Sequence, residues 1–206
     1  MLKEEHVIGS AFLVEPWKKL TYKDIAKITG KKSKGYIYKA LNGLLKEGTI
    51  NTEKVGKSVL YSLNLNSLKT RAYLGFLNEY KSWNANHIPH KIIQKISSKI
   101  SNPYYVFIVT GSYAKKTQTK KSDLDVVIIC DNNVNPKSIM AEIVFEAEVS
   151  MPVVEPYVFM RKEFMQMLLD KSENYGKEVV RYNAIFYGGA VYYSILNEAL
   201  NNGFKG

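Results

Sequence analysis

The sequence predicts a mixed α+β chain in two parts: a helical N-terminal unit closed by a β-hairpin, then a unit with a small mixed sheet flanked by helices. Two observations point there. Up to Gly48 apolar residues recur at helical spacing, and two short β-rich runs follow. After Pro103, strand-like runs dense in β-branched and aromatic residues alternate with helical stretches, the pattern of a layered unit.

The first helix is expected over residues 3–14, with Val7, Ile8, Ala11 and Phe12 on one face. Thr21 reads as the N-cap of a short helix, Tyr22 to Thr29, with Ile25, Ala26 and Ile28 turned inward and Gly30 as its stop. Ser33 caps a longer helix that ends at Gly48, with the stripe Ile37, Ala40, Leu41, Leu44 and Leu45. Ile50–Lys54 and Ser58–Leu63 read as strands joined by a turn at Val55-Gly56-Lys57. Residues 66–101 read as a helical connector, with a loose stripe of Leu68, Ala72, Leu74, Phe76 and Leu77. A break follows near Asn84–Pro89, then a second stripe of Ile92, Ile93, Ile96 and Ile100. Beyond it, Tyr104–Thr110 and Leu124–Cys130 read as buried strands and Pro136–Val149 as a helix. Val153–Phe159 reads as a third strand, which Pro156 places at an edge or bulge, and helices follow at Arg161–Lys171 and Ala190–Asn201. The expected divisions are therefore 1–65, 66–101 and 102–206.

Composition narrows the functional classes. The chain has 206 residues, 46% hydrophobic and 23% charged, as expected of a folded globular protein. No apolar run reaches the ~18–20 residues that a membrane span needs, and the N-terminus lacks the shape of a signal peptide. A single cysteine, Cys130, excludes an intrachain disulfide and a cysteine-based zinc site. His6, His87 and His90 show no metal-ligand spacing. A cytoplasmic location and no membrane partner are the expectations. The net charge is +10 and uneven: residues 1–65 hold twelve lysines against six acids, so more than half the excess lies in under a third of the chain. A basic end suggests a polyanion, nucleic acid being the usual one; a Lys-rich solubilising surface is the plainer alternative.

The segment with chemistry is VTGSYAKKTQTKKSDLDVVIIC, residues 109–130. Thr110-Gly111-Ser112 ends one strand and begins a helix. Gly111 permits a tight turn and close approach of a phosphate, the helix start offers free N–H groups, and the Ser112 hydroxyl adds a donor. After ten intervening residues, Asp123 and Asp125 stand two apart at the head of the next strand, so their carboxylates leave the same face. Two hard anions so placed suit Mg²⁺ or Mn²⁺, which keep part of their shell for phosphates. The plainer reading is an ordinary Gly-Ser turn with solvent-facing acids.

GSYAKKTQTKKSDLDVVI resembles the signature of the polymerase β-type nucleotidyltransferases, above all their minimal members. The resemblance spans roughly residues 100–170. It implies a mixed sheet, ATP or another nucleoside triphosphate as substrate, and release of pyrophosphate. It also implies that Gly111 and Ser112 hold the triphosphate, that Lys115 supplies a basic contact, and that Asp123 and Asp125 ligate the metals. Lys116 stands where glycine is common in relatives. A third carboxylate is expected from a neighbouring strand. Glu155 in PVVEPYVF is favoured, because a carboxylate inside an apolar strand has reason to be there if it meets a cation; Glu148 is the other candidate. Minimal relatives often act as antitoxins that adenylylate a toxin partner, which makes a toxin-like protein hydroxyl the leading acceptor.

The first 65 residues resemble a winged helix-turn-helix domain, on LTYKDIAKITG, KSKGYIYKALNGLLKEGTI and a hairpin with VGK at its tip. That resemblance implies double-stranded DNA as partner, with the second helix of the turn in the major groove. Lys34, Tyr38, Lys39 and Asn42 would lie on its exposed face, Lys31 and Lys32 before it, and Lys54 and Lys57 on the wing. Lysines mostly position, so Asn42 or Tyr36 would have to read bases. A winged helix that binds protein or forms a homodimer is the competing reading. For the whole chain the alternatives are a DNA-binding regulator with a nucleotide-sensing or inactive transferase fold, and a pure protein-interaction module. Tyr182, Tyr187, Tyr192 and Tyr193 are expected to pack the last helix onto the sheet, and Cys130 to be a plain strand residue.

Overall fold

The computed structural model describes residues 4–206. Helix α1 (Glu4–Gly9) runs into a 3₁₀ turn, Ser10–Leu13, and buries Ile8, Ala11 and Phe12. Residue 3, where the expected helix begins, lies outside the described residues. Helix α2 (Tyr22–Thr29) is fixed at its start by a capping box: Thr21 Oγ1 accepts from the Asp24 N–H, and Asp24 accepts from the Thr21 N–H at 2.8 Å. It stops at Gly30, where φ is +67°. Only Ile25 of its three expected inward residues is fully buried; Ile28 is exposed, because an eight-residue helix on this small core buries little more than one side chain per turn. Helix α3 (Lys34–Lys46), capped by Ser33, buries four of the five residues of its expected stripe, Ile37, Ala40, Leu41 and Leu44, and leaves Leu45 half-buried.

Strands β2 (Ile50–Val55) and β3 (Ser58–Leu63) form the expected hairpin, turning through Gly56-Lys57. A two-residue strand that the sequence did not signal, β1 (Leu20–Thr21), pairs with β3 and completes a sheet of order β1-β3-β2. One apolar cluster joins these helices to Tyr61 of β3.

Helix α4 (Leu68–Trp83) packs along the last helix, α10 (Gly189–Asn201), and against β7 (Ala184–Tyr187). Its inward face differs from the expected stripe. Leu68, Ala72 and Phe76 are exposed, while Thr70, Leu74, Gly75, Leu77, Asn78 and Ser82 are buried. Two causes explain this. A Cβ on Gly75 would come within 2.4 Å of the Ala190 nitrogen, so glycine lets the two helices cross closely. Asn78 donates to Asn183 and to the Tyr193 hydroxyl and accepts from the Ile185 N–H, tying α4 to β7 and α10 through a satisfied buried amide.

The second sheet is mixed, with order β6-β5-β4-β7. Its centre is β4 (Tyr105–Val109), antiparallel to both β5 (Leu124–Cys130) and β7; β6 (Val154–Met160) lies parallel to β5 at one edge. Pro156 is tolerated on that edge, as expected. Helices α5 (His90–Lys99) and α7 (Pro136–Val149) cover one face of the sheet. The other face packs against α4, α8 (Arg161–Leu169), α9 (Tyr175–Arg181) and α10. Tyr192 and Tyr193 are buried there, while Tyr182 and Tyr187 stay exposed. Cys130 is a buried free thiol. Among the described residues no helix is long and apolar enough to cross a membrane.

Candidate active site

The site sits where β4 ends and β5 and β6 begin. The Thr110 N–H donates to the Asp125 carbonyl at 3.0 Å, and its hydroxyl donates to the Tyr182 carbonyl at 2.6 Å, which fixes the exit of β4. The chain then enters α6 (Gly111–Lys115). Gly111 has φ +61°, and a Cβ there would lie 1.9 Å from Asp125 Oδ2. Glycine is thus required twice over, by backbone conformation and by the carboxylate pressed against it. With only five residues, α6 has a weak dipole, so the approach at Gly111 is the larger part of the cradle. Ser112 is half-buried, and its hydroxyl makes no hydrogen bond among the described residues.

Asp125 and Glu155 are direct partners in the parallel β5–β6 register. Adjacent strands run about 4.8 Å apart, so the two carboxylates stand side by side on one face. Asp123 precedes β5 by one residue and is exposed. Burial raises the Asp125 pKa, and the negative charges of Glu155 and Asp123 raise it further. Three acids therefore share one patch of field. Among the described residues no three His, Cys, Asp or Glu side chains close on one point in chelating geometry. Glu155 Oε1 instead accepts from the Tyr157 hydroxyl at 2.5 Å, which pushes that phenol up to about 12. Glu148, the other candidate for third carboxylate, is exposed on α7.

The donor set nonetheless fits a hard divalent cation: three carboxylates at one end of the sheet, Asp125 half-buried, Asp123 and Glu155 exposed, so that Glu155 faces water at the strand edge instead of lying buried among apolar residues. Tyr175 adds an independent sign. Its ring lies 4.8 Å from that of Tyr157, burial and then the Asp125 charge raise its pKa, and its buried hydroxyl has no hydrogen-bond partner. An unpaired buried hydroxyl beside the acids is a group waiting for a ligand or water.

Lys115 reaches the same end of the sheet. Its ammonium pairs with Glu178 at 2.6 Å and lies 4.9 Å above the Tyr182 ring. The Glu178 bond raises its pKa, and Asp125 adds to the effect. Lys115 is thus held in place but largely neutralised by Glu178. Tyr157, Tyr175 and Glu178 were not singled out from the sequence. Tyr157 had a signal, being two residues from Glu155 on the same strand face; the other two lie on α9, remote in sequence. His87 and His90 serve structure: they contact the Tyr113 and Ser82 carbonyls.

At the other end of the chain, Lys34, Tyr38, Lys39 and Asn42 are exposed on α3, with Lys31 and Lys32 exposed just before it. Tyr38 stacks on Tyr22 at 5.1 Å, Lys39 pairs with Glu4 at 3.1 Å, and Lys31 lies 5.5 Å from the Tyr36 ring centroid. Lys54 and Lys57 are exposed on the hairpin.

A search of curated proteins finds no significant match. Similar solved structures include one described as the crystal structure of the toxin-antitoxin with AMP-PNP. It is 13% identical, covers 55% of this chain and 90% of its own, and has a TM-score of 0.35, too low to bear on function. Residues 90–179, running from α5 into α9 and containing every acid of the site, match the family model of the nucleotidyltransferase domain.

Proposed function

We propose that the C-terminal unit transfers a nucleotidyl group, AMP from ATP as the favoured donor, to a hydroxyl acceptor. The observation that carries this reading is the register pairing of Asp125 with Glu155 beside Gly111-Ser112, with Asp123 two residues upstream. In the reaction the acceptor oxygen bonds to the α-phosphorus, the bond to the bridging oxygen breaks, and pyrophosphate leaves. Asp123, Asp125 and Glu155 would hold Mg²⁺ or Mn²⁺, which supplies charge to stabilise the attacking and leaving oxygens. Gly111 and Ser112 would receive the phosphates, and Lys115 would add a positive contact once Glu178 yields it. Glu155, on the open edge strand, is placed to take the acceptor's proton. Phe145, Val149 and Met151 are exposed on the run that leads into β6, and this apolar surface favours a protein hydroxyl, toxin-like in role, as acceptor.

We further propose that the N-terminal unit works as a winged helix on double-stranded DNA, α3 entering the major groove and Lys57 touching the backbone from the hairpin. The order of helices and hairpin and the exposed lysines support it. A cytoplasmic setting, where triphosphates and DNA meet, suits both activities. A second reading, a DNA-binding regulator whose transferase fold only senses nucleotide, draws on the engagement of Glu155 by Tyr157.

Incubation with α-labelled ATP, Mg²⁺ or Mn²⁺ and candidate protein acceptors separates the two readings. Covalent label is expected, falling about 10³-fold or more in Asp123→Asn/Asp125→Asn. No incorporation, or equal incorporation by the variant, contradicts the transferase reading.

A further inference from the structure

Beside α6, at the same end of the sheet, lies a cavity of about 490 Å³ that contains none of the three acids. The C-terminal turn of α4, residues 84–88, Ala114 and Lys116 of the α6 end, and the link from α9 to β7 enclose it, with Leu13 and Val14 closing one side. Its charged lining is of one sign: Lys81, Lys116 and Arg181, with no aspartate or glutamate. Arg181 is engaged by Glu173 through two hydrogen bonds of 2.6 and 2.9 Å. Among the described residues Lys81 and Lys116 have no ion-pair partner. Asn78 and Asn183 line the same wall.

Two features show that this cationic lining has a cost. Lys116 holds φ +60°, the only non-glycine residue with positive φ among the described residues, at the C-cap of α6 where glycine would sit without strain. Lys81 is open to solvent inside the concavity, yet the protein around it lowers its pKa and Lys116 lowers it further. A strained lysine and a partly desolvated one face one space with no anion to offset them.

We propose that this cavity binds a phosphate-bearing group, with Lys81 and Lys116 as its main contacts. Tyr182 links it to Lys115 of the candidate site, since Tyr182 lines the cavity and its ring lies beneath the Lys115 ammonium. Two sources share the chemistry: the terminal phosphates of the nucleotide, or a phosphorylated acceptor or effector that enters beside it.

Calorimetric titration of the full chain with inorganic tripolyphosphate, without metal, tests the proposal. Wild type takes it up, and Lys81→Gln and Lys116→Gly each weaken uptake about tenfold, as loss of one charge-assisted contact would. Lys116→Gly relieves the left-handed backbone, so its loss of affinity does not reflect misfolding. Lys34→Glu/Lys39→Glu keeps wild-type affinity. Asp123→Asn/Asp125→Asn, which removes two nearby negative charges, binds at least as tightly as wild type while losing nucleotidyl transfer, which separates this proposal from the transferase reading. Titration with ATP and AMP then assigns the source. ATP weakened with AMP unchanged identifies the nucleotide's own terminal phosphates, and unchanged ATP identifies a separate phosphorylated ligand. No uptake by wild type, unchanged affinity in both lysine variants, or loss in Lys34→Glu/Lys39→Glu overturns the proposal.

Discussion

The two charged regions of this molecule are built in opposite ways. At the acid end, charge is concentrated and fixed by strand register: half-buried Asp125 faces Glu155 across a parallel ladder and presses on Gly111. On α3 and the hairpin, charge is dispersed over exposed lysines whose few partners, such as Glu4 for Lys39, are themselves at the surface. A surface pair of that kind contributes little to stability. The difference suits the two tasks proposed above. A metal and a reacting phosphate require geometry held to fractions of an ångström. A duplex backbone is a line of charge that mobile lysines can follow, with binding that weakens as salt rises.

After the loss of transfer, about 10³-fold, expected at the acids, the next effect that sharpens this contrast is on the dispersed side. Lys34→Glu/Lys39→Glu should lower duplex affinity about 100-fold at low salt and flatten the salt dependence by roughly two released counterions. It should leave nucleotidyl transfer to a non-DNA acceptor unchanged. Fluorescence anisotropy over a salt series measures the first and the labelling assay the second. Unchanged affinity would remove α3 from the binding face.

An effect of comparable size, on stability, is expected on the concentrated side. Gly111→Ala forces a left-handed alanine and drives a methyl into Asp125, a cost of about 2–4 kcal/mol in urea unfolding. A comparable change on the dispersed side, Gly35→Ala, meets open space and should be neutral or stabilising in an exposed helix. Equal stability of the two variants would mean that Gly111 and Asp125 are not in contact.

The same contrast explains what the sequence made legible. Asp123 and Asp125 lie two residues apart beside a Gly-Ser turn, so their chemistry follows from local spacing. Glu155 was conspicuous as a carboxylate in an apolar strand, yet it is exposed, and its nearness to Asp125 comes from the strand register. Tyr175 and Glu178 reach the site only through the tertiary placement of α9, and no local pattern marks them. Strand β7, four residues between Asn183 and Gly188, was too short to show a period. On α4 the apolar stripe misled, since burial there follows a glycine crossing at Gly75 and the amide network of Asn78 rather than hydrophobicity. The exposed face of α3 was legible because a single helix with one buried stripe leaves its opposite face to solvent.

The central claim, that the acids form a cation site, is tested most directly by thermal unfolding with and without Mn²⁺ and a non-hydrolysable triphosphate. Because the folded-state pKa of Asp125 is raised, the folded chain binds a proton more tightly than the unfolded chain. Stability should then fall as pH rises from the ordinary carboxylate range through that raised value, leaving the ionised group as a burden at neutral pH. Asp125→Asn should therefore raise Tm in the absence of metal. Mn²⁺ added over nucleotide alone should raise the wild-type Tm and leave that of Asp125→Asn unmoved. Equal shifts in both proteins, or none in wild type, would contradict the account.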